Sequence, residues 1–272
     1  MIASIEKMTD AIASIMNEKV YGIWLYGSIV LDDYRPGWRD IDFIALTESI
    51  ISEKQAEQLL MLRQNMLEKE PDNRYYRSFE GIVANITEFR NNAFKRLVYW
   101  GTSGQRVTDS YFKDPISGFE LAKYARNVYG NASWILPVPD EKELINAVRS
   151  HYDSIRKYAV HTDEKIYSCG WLLDIARCIY TLRYKDVIAK TKAGEWVLAE
   201  HIFSDEEPLK KTLKIRRNPL FYVNNEDLKP WFKSLGPVIQ RYADVLEGEL
   251  QELSDKGTVL LSHLSSRERK YE

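Results

Sequence analysis

The feature that most constrains this chain is a pair of short polar motifs, each attached to an apolar run. Gly27-Ser28 follows the run Ile23-Trp24-Leu25-Tyr26, and Asp40 and Asp42 stand directly before Phe43-Ile44-Ala45-Leu46. Short apolar runs bounded by turn residues are typical of buried strands, so we expect two strands joined by a short connection. Side chains two residues apart on a strand share a face, which places Asp40 and Asp42 about 6–7 Å apart along it.

This carboxylate pair predicts a bound cation. Two carboxylates on one face repel each other unless a positive charge lies between them, and Mg²⁺ fits because it binds hard oxygen ligands together with substrate phosphates. Gly27 lets a phosphate approach the backbone closely, and Ser28 supplies a hydroxyl and amide donors at a predicted helix start. Either motif alone is explained as well by a turn or by the solvent side of an edge strand. Together they predict a site for Mg²⁺ and a phosphate.

A third carboxylate would complete the chemistry. A hydroxyl that attacks a phosphate loses a proton, and a carboxylate near the metal is suited to accept it. Glu80 lies one residue into a third predicted strand, 79–87, where a neighbouring strand could direct it at the aspartates. Glu88, at the far end of that strand, is the competing base, and a surface position is the alternative for Glu80. Whether Glu80 is the base or a third metal ligand stays open.

The spacing of these motifs resembles the signature of the nucleotidyltransferase superfamily, in which Gly-Ser is followed by Asp-x-Asp and an apolar strand. Over most of its length the chain resembles the aminoglycoside adenylyltransferases that act on streptomycin and spectinomycin. In that family a glutamate begins the next apolar strand, as Glu80 does in FEGIVANI. Valine-glycine and Pro-Val-Pro elements follow, matching Val128-Tyr129-Gly130 and Pro137-Val138-Pro139.

The resemblance implies two nucleotide contacts in the second half of the chain, besides those of Gly27 and Ser28. Arg177 in WLLDIARCIYTL and Lys190 in AKTKAGEW match an arginine and a lysine that reach the nucleotide's phosphates from across the cleft between the domains. A planar guanidinium and a compact ammonium both suit phosphate oxygens. From the residues alone, a solvated lysine and a flanking arginine would be the alternative.

For the acceptor the resemblance is looser. Asp163 and Glu164 echo an acidic cluster that meets a cationic drug, and Trp100 matches a tryptophan that packs on the drug, although a core position is commoner for tryptophan. Compared with the streptomycin-type pattern, one additional residue separates Gly27 from Asp40, and Arg39 replaces a small hydroxyl residue.

The order of helix and strand patterns predicts two domains. Residues 1–138 alternate helices and strands and are expected to form an α/β (α+β) nucleotidyltransferase fold with a mixed sheet, with FELAKYARNVYGN at 119–131 as a helix. Residues 139–272 contain four candidate helices and are expected to form an all-α helical bundle. Asp140 and Glu143 form a capping-box pattern at the start of this second domain.

Charge, apolar runs and residue spacing argue against several classes of protein. The net charge of −2 gives no basic surplus, so nucleic acid is not an expected partner. No run approaches the ~20 apolar residues that cross a bilayer, so no membrane association is expected. Cys169 and Cys178 fall on opposite faces of a predicted helix, which favours reduced thiols and a cytoplasmic location. The four histidines show no metal spacing.

These patterns and the resemblance predict an aminoglycoside adenylyltransferase of the streptomycin/spectinomycin type. It would transfer AMP from Mg-ATP to a drug hydroxyl, release pyrophosphate and use one or two Mg²⁺ ions; a monomer is favoured. The alternatives are a nucleotidyltransferase acting on another small molecule, a protein or tRNA, as in toxin–antitoxin systems, or a non-catalytic nucleotide-binding module. Three retained carboxylates favour an enzyme, because a binding module gains nothing from uncompensated negative charge.

Overall fold

The computed structural model describes residues 1–38, 40–101, 104–112, 114–130, 133–134 and 136–268, with side chains described up to residue 253. Arg39, the centre of the glycine-rich turn at 102–103 and the last four residues lie outside the described residues. Backbone contacts divide the chain into two compact units, Met1–Pro139 and Asp140–Glu272.

The first unit is built on one mixed sheet of six strands. In chain order these are β1 (Val20–Tyr26), β2 (Ile41–Thr47), β3 (Phe79–Asn85), β4 (Leu97–Gly101), β5 (Gly104–Thr108) and β6 (Arg126–Tyr129). Across the sheet the order is β5-β4-β3-β2-β1-β6. Only β2 and β3 pair in parallel among these strands, and the other neighbours are antiparallel. A parallel pair needs a crossover connection, which here is a helix.

In the described part of the first unit four α-helices accompany this sheet, and three of them begin with a side-chain cap. They are α1 (Ile2–Ile15), α2 (Glu53–Lys69), which is the crossover, α3 (Ile86–Asn91) and α4 (Pro115–Tyr124). Ser52 and Gln55 form a capping box at α2, and the Asn85 and Asp114 side chains accept backbone N–H groups at the starts of α3 and α4.

The sheet has an apolar core on each face. One core joins odd-numbered residues of β2, such as Ile41 and Phe43, to α1 and α2. The other joins even-numbered residues, such as Ile44 and Leu46, to Phe89 of α3. Because strand side chains alternate, Asp42 shares the second face, and so does Glu80, whose strand-mates Ile82 and Ala84 belong to the same core.

The second unit is helical in the part of the chain that the structure describes. Its helices are α5 (Glu141–Tyr158), α6 (Gly170–Tyr184), α7 (Lys190–Ala199), α8 (Glu207–Arg217), α9 (Pro219–Tyr222), α10 (Lys229–Lys233) and α11 (Gly236–Glu268). The predicted capping box of Asp140 and Glu143 is present at α5. Cys169 and Cys178 are both buried thiols and are not joined in a disulfide. Among the described residues, no helix combines the length and apolar character that a membrane crossing requires.

Several elements differ from the sequence-based expectation, among them the seven described helices of the second unit in place of the four expected. The strand predicted to 87 ends at Asn85, whose side chain caps α3 instead. The helix predicted over 119–131 ends at Tyr124, and Arg126–Tyr129 is an edge strand that pairs with β1. The helix α8 was not predicted, because polar Thr212 and Arg216 occupy buried positions on its inner face.

Candidate active site

The candidate site lies where β2 and β3 begin. Asp42 and Glu80 are register partners in the parallel ladder, and each is the second residue of its strand. In both strands this residue is half-buried while the other six are buried. Neighbouring strands are about 4.8 Å apart, so the two carboxylates stand side by side at the point where the sheet meets solvent. The prediction that a neighbouring strand directs Glu80 at the aspartate pair agrees with this register.

Asp40 lies one residue before β2 and is also half-buried. Its position two residues from Asp42 matches the predicted spacing along the strand direction. Among the described residues, no group of three or more His, Cys, Asp or Glu side chains is close enough to form a metal-binding cluster. This arrangement suits a hard cation that uses one or two carboxylates together with substrate phosphates, as Mg²⁺ commonly does.

Gly27 brings the first motif against the second. Tyr26, the last residue of β1, is the register partner of Asp42, and Gly27 follows with a left-handed φ of +69°. A Cβ atom built on Gly27 would overlap Asp42 Oδ2. Glycine is therefore required both by the backbone conformation and by the space that the Asp42 carboxylate occupies.

Ser28 carries a buried hydroxyl. Its Oγ atom has no hydrogen-bond partner among the described residues. Leaving a buried hydroxyl unpaired costs about 1–3 kcal/mol, so such a group is well matched to an additional oxygen ligand. The carboxylates and this hydroxyl, beside the Gly27 turn, are polar groups that a magnesium-bound phosphate would need, and the residues present fit that group.

Three tyrosines surround the carboxylates and were not singled out from the sequence. Tyr99 Oη donates a hydrogen bond to Glu80 Oε1 at 3.0 Å, and Tyr26 is the register partner of Asp42. Burial, with the charges of Asp42 and Glu80 contributing, raises the pKa of Tyr111. Burial, followed by the charge of Glu80, raises the pKa of Tyr99 to about 12. Burial, with contributions from Tyr111 and Asp42, raises the pKa of Tyr26 well above its ordinary value. These phenols therefore stay protonated near neutral pH and act as hydrogen-bond donors.

Arg63 of α2 supports the start of β3. Its guanidinium donates to the carbonyl oxygens of Phe79 at 3.0 Å and of Gly101 at 3.2 Å. Burial lowers the pKa of Arg63, while the charges of Glu80 and Asp40 act in the opposite direction. The arginine thus ties the strand end that carries Glu80 to the neighbouring strand β4.

The structure corrects the prediction that Trp100 packs on the acceptor. Trp100 pairs with Gly81, one residue beyond Glu80, so its side chain points to the opposite face of the sheet. There it is fully buried, packs edge-on against Phe43 and donates its indole N–H to the Leu59 carbonyl at 3.2 Å. Tyr99, the preceding residue, is the aromatic side chain on the carboxylate face.

Glu88 is remote from the aspartate pair. It lies in α3, beyond the carboxyl end of β3, whereas Glu80 lies at the amino end of the same strand. Glu88 lies eight positions after Glu80, and the five strand steps from Glu80 to Asn85 alone span about 16 Å at about 3.3 Å per residue. Because Glu88 lies beyond the carboxyl end of β3, far from Asp42, it is not a candidate for the base.

The helical unit brings the two predicted phosphate contacts together. Lys190, the first residue of α7, forms an ion pair with Asp174 of α6, and Arg177 lies 3.9 Å from the same Asp174 oxygen. The three side chains are only 11–19% exposed. Next to Lys190, Thr191 accepts a hydrogen bond from the fully buried Arg216 at 2.8 Å, which anchors the start of α7.

Asp163 and Glu164 have local partners within the helical unit. Asp163 accepts hydrogen bonds from the Lys165 N–H and the Ser168 hydroxyl, at 2.9 and 2.7 Å. Glu164 pairs with Lys233 at 3.3 Å. Burial acts to raise the pKa of Asp163, but the bonds from Ser168 and Lys165 outweigh it and leave that pKa lowered. Asp163 therefore acts as a turn cap whatever else it binds.

Paired carboxylates at the start of a parallel strand pair, with a glycine turn packed against one of them, are the arrangement expected from the resemblance to nucleotidyltransferases. Comparisons with known proteins agree with this class. Residues 135–229 match the family model of the aminoglycoside adenylyltransferase C-terminal domain. The fold is similar to the crystal structure of spectinomycin adenyltransferase AAD(9) from Enterococcus faecialis with ATP and spectinomycin, with a TM-score of 0.64 and 16% identity over 89% of this chain and 98% of that one.

No curated protein sequence gives a significant match. The fold class predicted from the sequence is confirmed, as is the resemblance to aminoglycoside adenylyltransferases. Together the family match and the fold indicate a nucleotidyltransferase enzyme.

Proposed function

We propose that this protein transfers AMP from Mg-ATP to a hydroxyl group of an aminoglycoside-type antibiotic and releases pyrophosphate. The observation that carries the proposal is the pairing of Asp42 with Glu80 in adjacent strands, with Gly27 packed against the Asp42 carboxylate. Adenylyl transfer needs this combination because one carboxylate must face a metal-bound phosphate while another accepts a proton.

Each carboxylate has a separate part in this scheme. Asp40 and Asp42 would hold one or two Mg²⁺ ions, which when bound neutralise phosphate charge and stabilise the transition state. Glu80 is half-buried and accepts a hydrogen bond on Oε1, which leaves Oε2 to take the proton of the attacking hydroxyl. Tyr99, with a pKa of about 12, cannot take that proton near neutral pH.

Candidate phosphate contacts are proposed in each unit. In the first unit these are the Gly27-Ser28 turn beside Asp42 and the Ser28 hydroxyl, a donor that has no partner among the described residues. In the helical unit they are Arg177 and Lys190, which match the arginine and lysine of the resemblance, lie beside Asp174 and carry the two kinds of cation that suit phosphate oxygens.

The acceptor is proposed to be cationic and rich in hydroxyl groups, of the streptomycin or spectinomycin type. Three carboxylates at the strand ends favour a cation, and the phenols of Tyr99 and Tyr111 can hydrogen-bond sugar-like hydroxyls. The structural relative that contains spectinomycin points to the same class. Asp163 and Glu164 remain candidates for acceptor contact through the oxygens that their local partners leave available.

A different small hydroxylated acceptor is the second candidate. It is favoured by the burial of Trp100, which removes the aromatic contact expected for streptomycin-type drugs. A panel of acceptors separates the two candidates, because only the first requires an aminoglycoside.

The test is pyrophosphate release from ATP and Mg²⁺ with streptomycin, spectinomycin, a lincosamide and a no-acceptor control. We expect release that depends on streptomycin or spectinomycin and that disappears in Glu80→Gln. Equal release without an acceptor, or with the lincosamide alone, would contradict the aminoglycoside assignment.

A further inference from the structure

Tyr99 is held in place by features of the sheet on three sides. Its register partner in β3 is Ile82, so Tyr99 is a diagonal neighbour of Glu80 on the same face, within reach of an aromatic side chain. On β5 its register partner is Arg106, whose guanidinium carbon lies 4.3 Å from the centre of the tyrosine ring. The ring is therefore stacked by a cation while its phenol faces Glu80.

Gly101 supplies the space that the tyrosine ring occupies. A Cβ atom at Gly101 would lie 2.5 Å from Tyr99 Cε1 and 2.9 Å from Tyr99 Oη, both closer than real Cβ atoms approach. Any larger residue at 101 would push the ring and its hydroxyl away from Glu80. Because residue 101 has no side chain, the Tyr99 ring can occupy the position that places its hydroxyl beside Glu80.

The hydrogen bond from Tyr99 fixes the carboxylate of Glu80. A glutamate side chain has three rotatable bonds, and holding it before the reaction removes orientations that cannot accept a proton. Donation to an ionised oxygen is stronger than a neutral hydrogen bond, and it favours the charged form that a base needs. One oxygen of Glu80 is thereby occupied, which leaves the other to accept a proton.

We propose that Tyr99 is a positioning residue, which holds Glu80 in the orientation that accepts a proton. This proposal rests on the proposed function of Glu80 as the base. Burial and the charge of Glu80 raise the pKa of Tyr99 to about 12, which keeps the phenol protonated, and able to donate, near neutral pH.

Two substitutions remove the contact by different routes. Tyr99→Phe deletes the donor and keeps the ring, and Gly101→Ala keeps the donor and displaces the ring. Tyr129→Phe is the matched control, because Tyr129 Oη also donates to a glutamate, Glu18, which is not one of the site carboxylates.

We expect kcat to fall about 10- to 100-fold in Tyr99→Phe and Gly101→Ala, because a misplacement of about 1 Å can cost 10²-fold. The KM for Mg-ATP should stay within about twofold, because the contact is proposed to act on the proton acceptor and not on nucleotide binding. Tyr129→Phe should keep wild-type kinetics. Wild-type kcat in Tyr99→Phe would overturn the proposal.

A titration that needs no acceptor separates this inference from the proposed function. With ring-labelled tyrosine, the Tyr99 resonance should titrate at clearly lower pH in Glu80→Gln than in the wild-type protein, because the charge of Glu80 contributes to the raised pKa of Tyr99. If no acceptor supports turnover, the proposed function fails, while this titration still decides whether the phenol and the carboxylate are coupled. Identical titration in the two proteins would refute the coupling and, with it, the positioning role.

Discussion

Substituting Gly27 by alanine tests the contact between the glycine turn and the aspartate. The added methyl group would overlap Asp42 Oδ2, so the carboxylate must move by roughly 1 Å to reach ordinary van der Waals separation. Alanine must also adopt the left-handed φ of +69°, which costs about 1–2 kcal/mol. A displaced metal ligand should reduce kcat/KM by about 10²-fold.

Gly130→Ala is the matched control. Gly130 has nearly the same conformation, with φ of +71°, and its added Cβ would meet the Tyr21 backbone oxygen at 2.9 Å, which is not part of the site. Both variants should therefore lose a similar free energy of unfolding, on the order of 1–3 kcal/mol, measured by thermal or urea denaturation.

The two variants should differ in the Mg²⁺ dependence of transfer, measured as pyrophosphate release at a temperature where both are folded. We expect Gly27→Ala to need more Mg²⁺ and to turn over slowly, and Gly130→Ala to retain wild-type turnover. Equal activity in both, or an equal loss in both, would refute the reasoning, because the effect would then not depend on Asp42.

Three further predictions concern single side chains. Asp42→Asn should lower transfer by several orders of magnitude and leave the protein folded, since metal clamping supplies several kcal/mol of transition-state stabilisation and the carboxylate repulsion is relieved; retained activity in a folded variant would exclude the metal assignment. Lys190→Ala and Arg177→Ala should each weaken Mg-ATP binding in calorimetry more than acceptor binding, and unchanged nucleotide affinity in both would show that the phosphate contacts are wrong. Trp100→Ala should lower the free energy of unfolding by about 3–5 kcal/mol through a core cavity, and a loss of acceptor affinity without loss of stability would contradict its core position.

Much of the first unit could be predicted from the sequence because apolar runs and polar motifs coincide there. The runs before Gly27 and after Asp42 are strands, and Glu80 begins the strand that pairs with β2. Local pattern is sufficient here because a strand buried on both faces leaves polar residues only at its ends.

The aromatic residues of the site could not be predicted in the same way. Tyr99 and Trp100 are adjacent, and their faces depend on which residue of β3 each one opposes. A shift of one residue in register would exchange them, and the sequence of β4 does not specify that register. The pairing of Gly81 with Trp100 places the tryptophan in the core and the tyrosine at Glu80.

In the helical unit, prediction from the sequence fails where polar residues occupy buried positions. Arg216 and Thr212 are fully buried in α8, so the apolar periodicity that identifies helices is weak there. The contact of Asp174 with Lys190 could not be predicted either. It joins α6 to α7 across sixteen residues of chain, and a contact between two helices does not form a local sequence motif.

The central claim is that Glu80, beside Asp42, accepts the proton of the attacking hydroxyl. The most direct test is Glu80→Gln, with Mg-ATP affinity measured by calorimetry and transfer of AMP to streptomycin or spectinomycin followed by mass spectrometry. We expect nearly unchanged nucleotide affinity and transfer reduced by about 10²–10⁴-fold, the usual contribution of a positioned base. Wild-type transfer by Glu80→Gln would contradict the claim, and loss of Mg-ATP binding would make Glu80 a metal ligand instead.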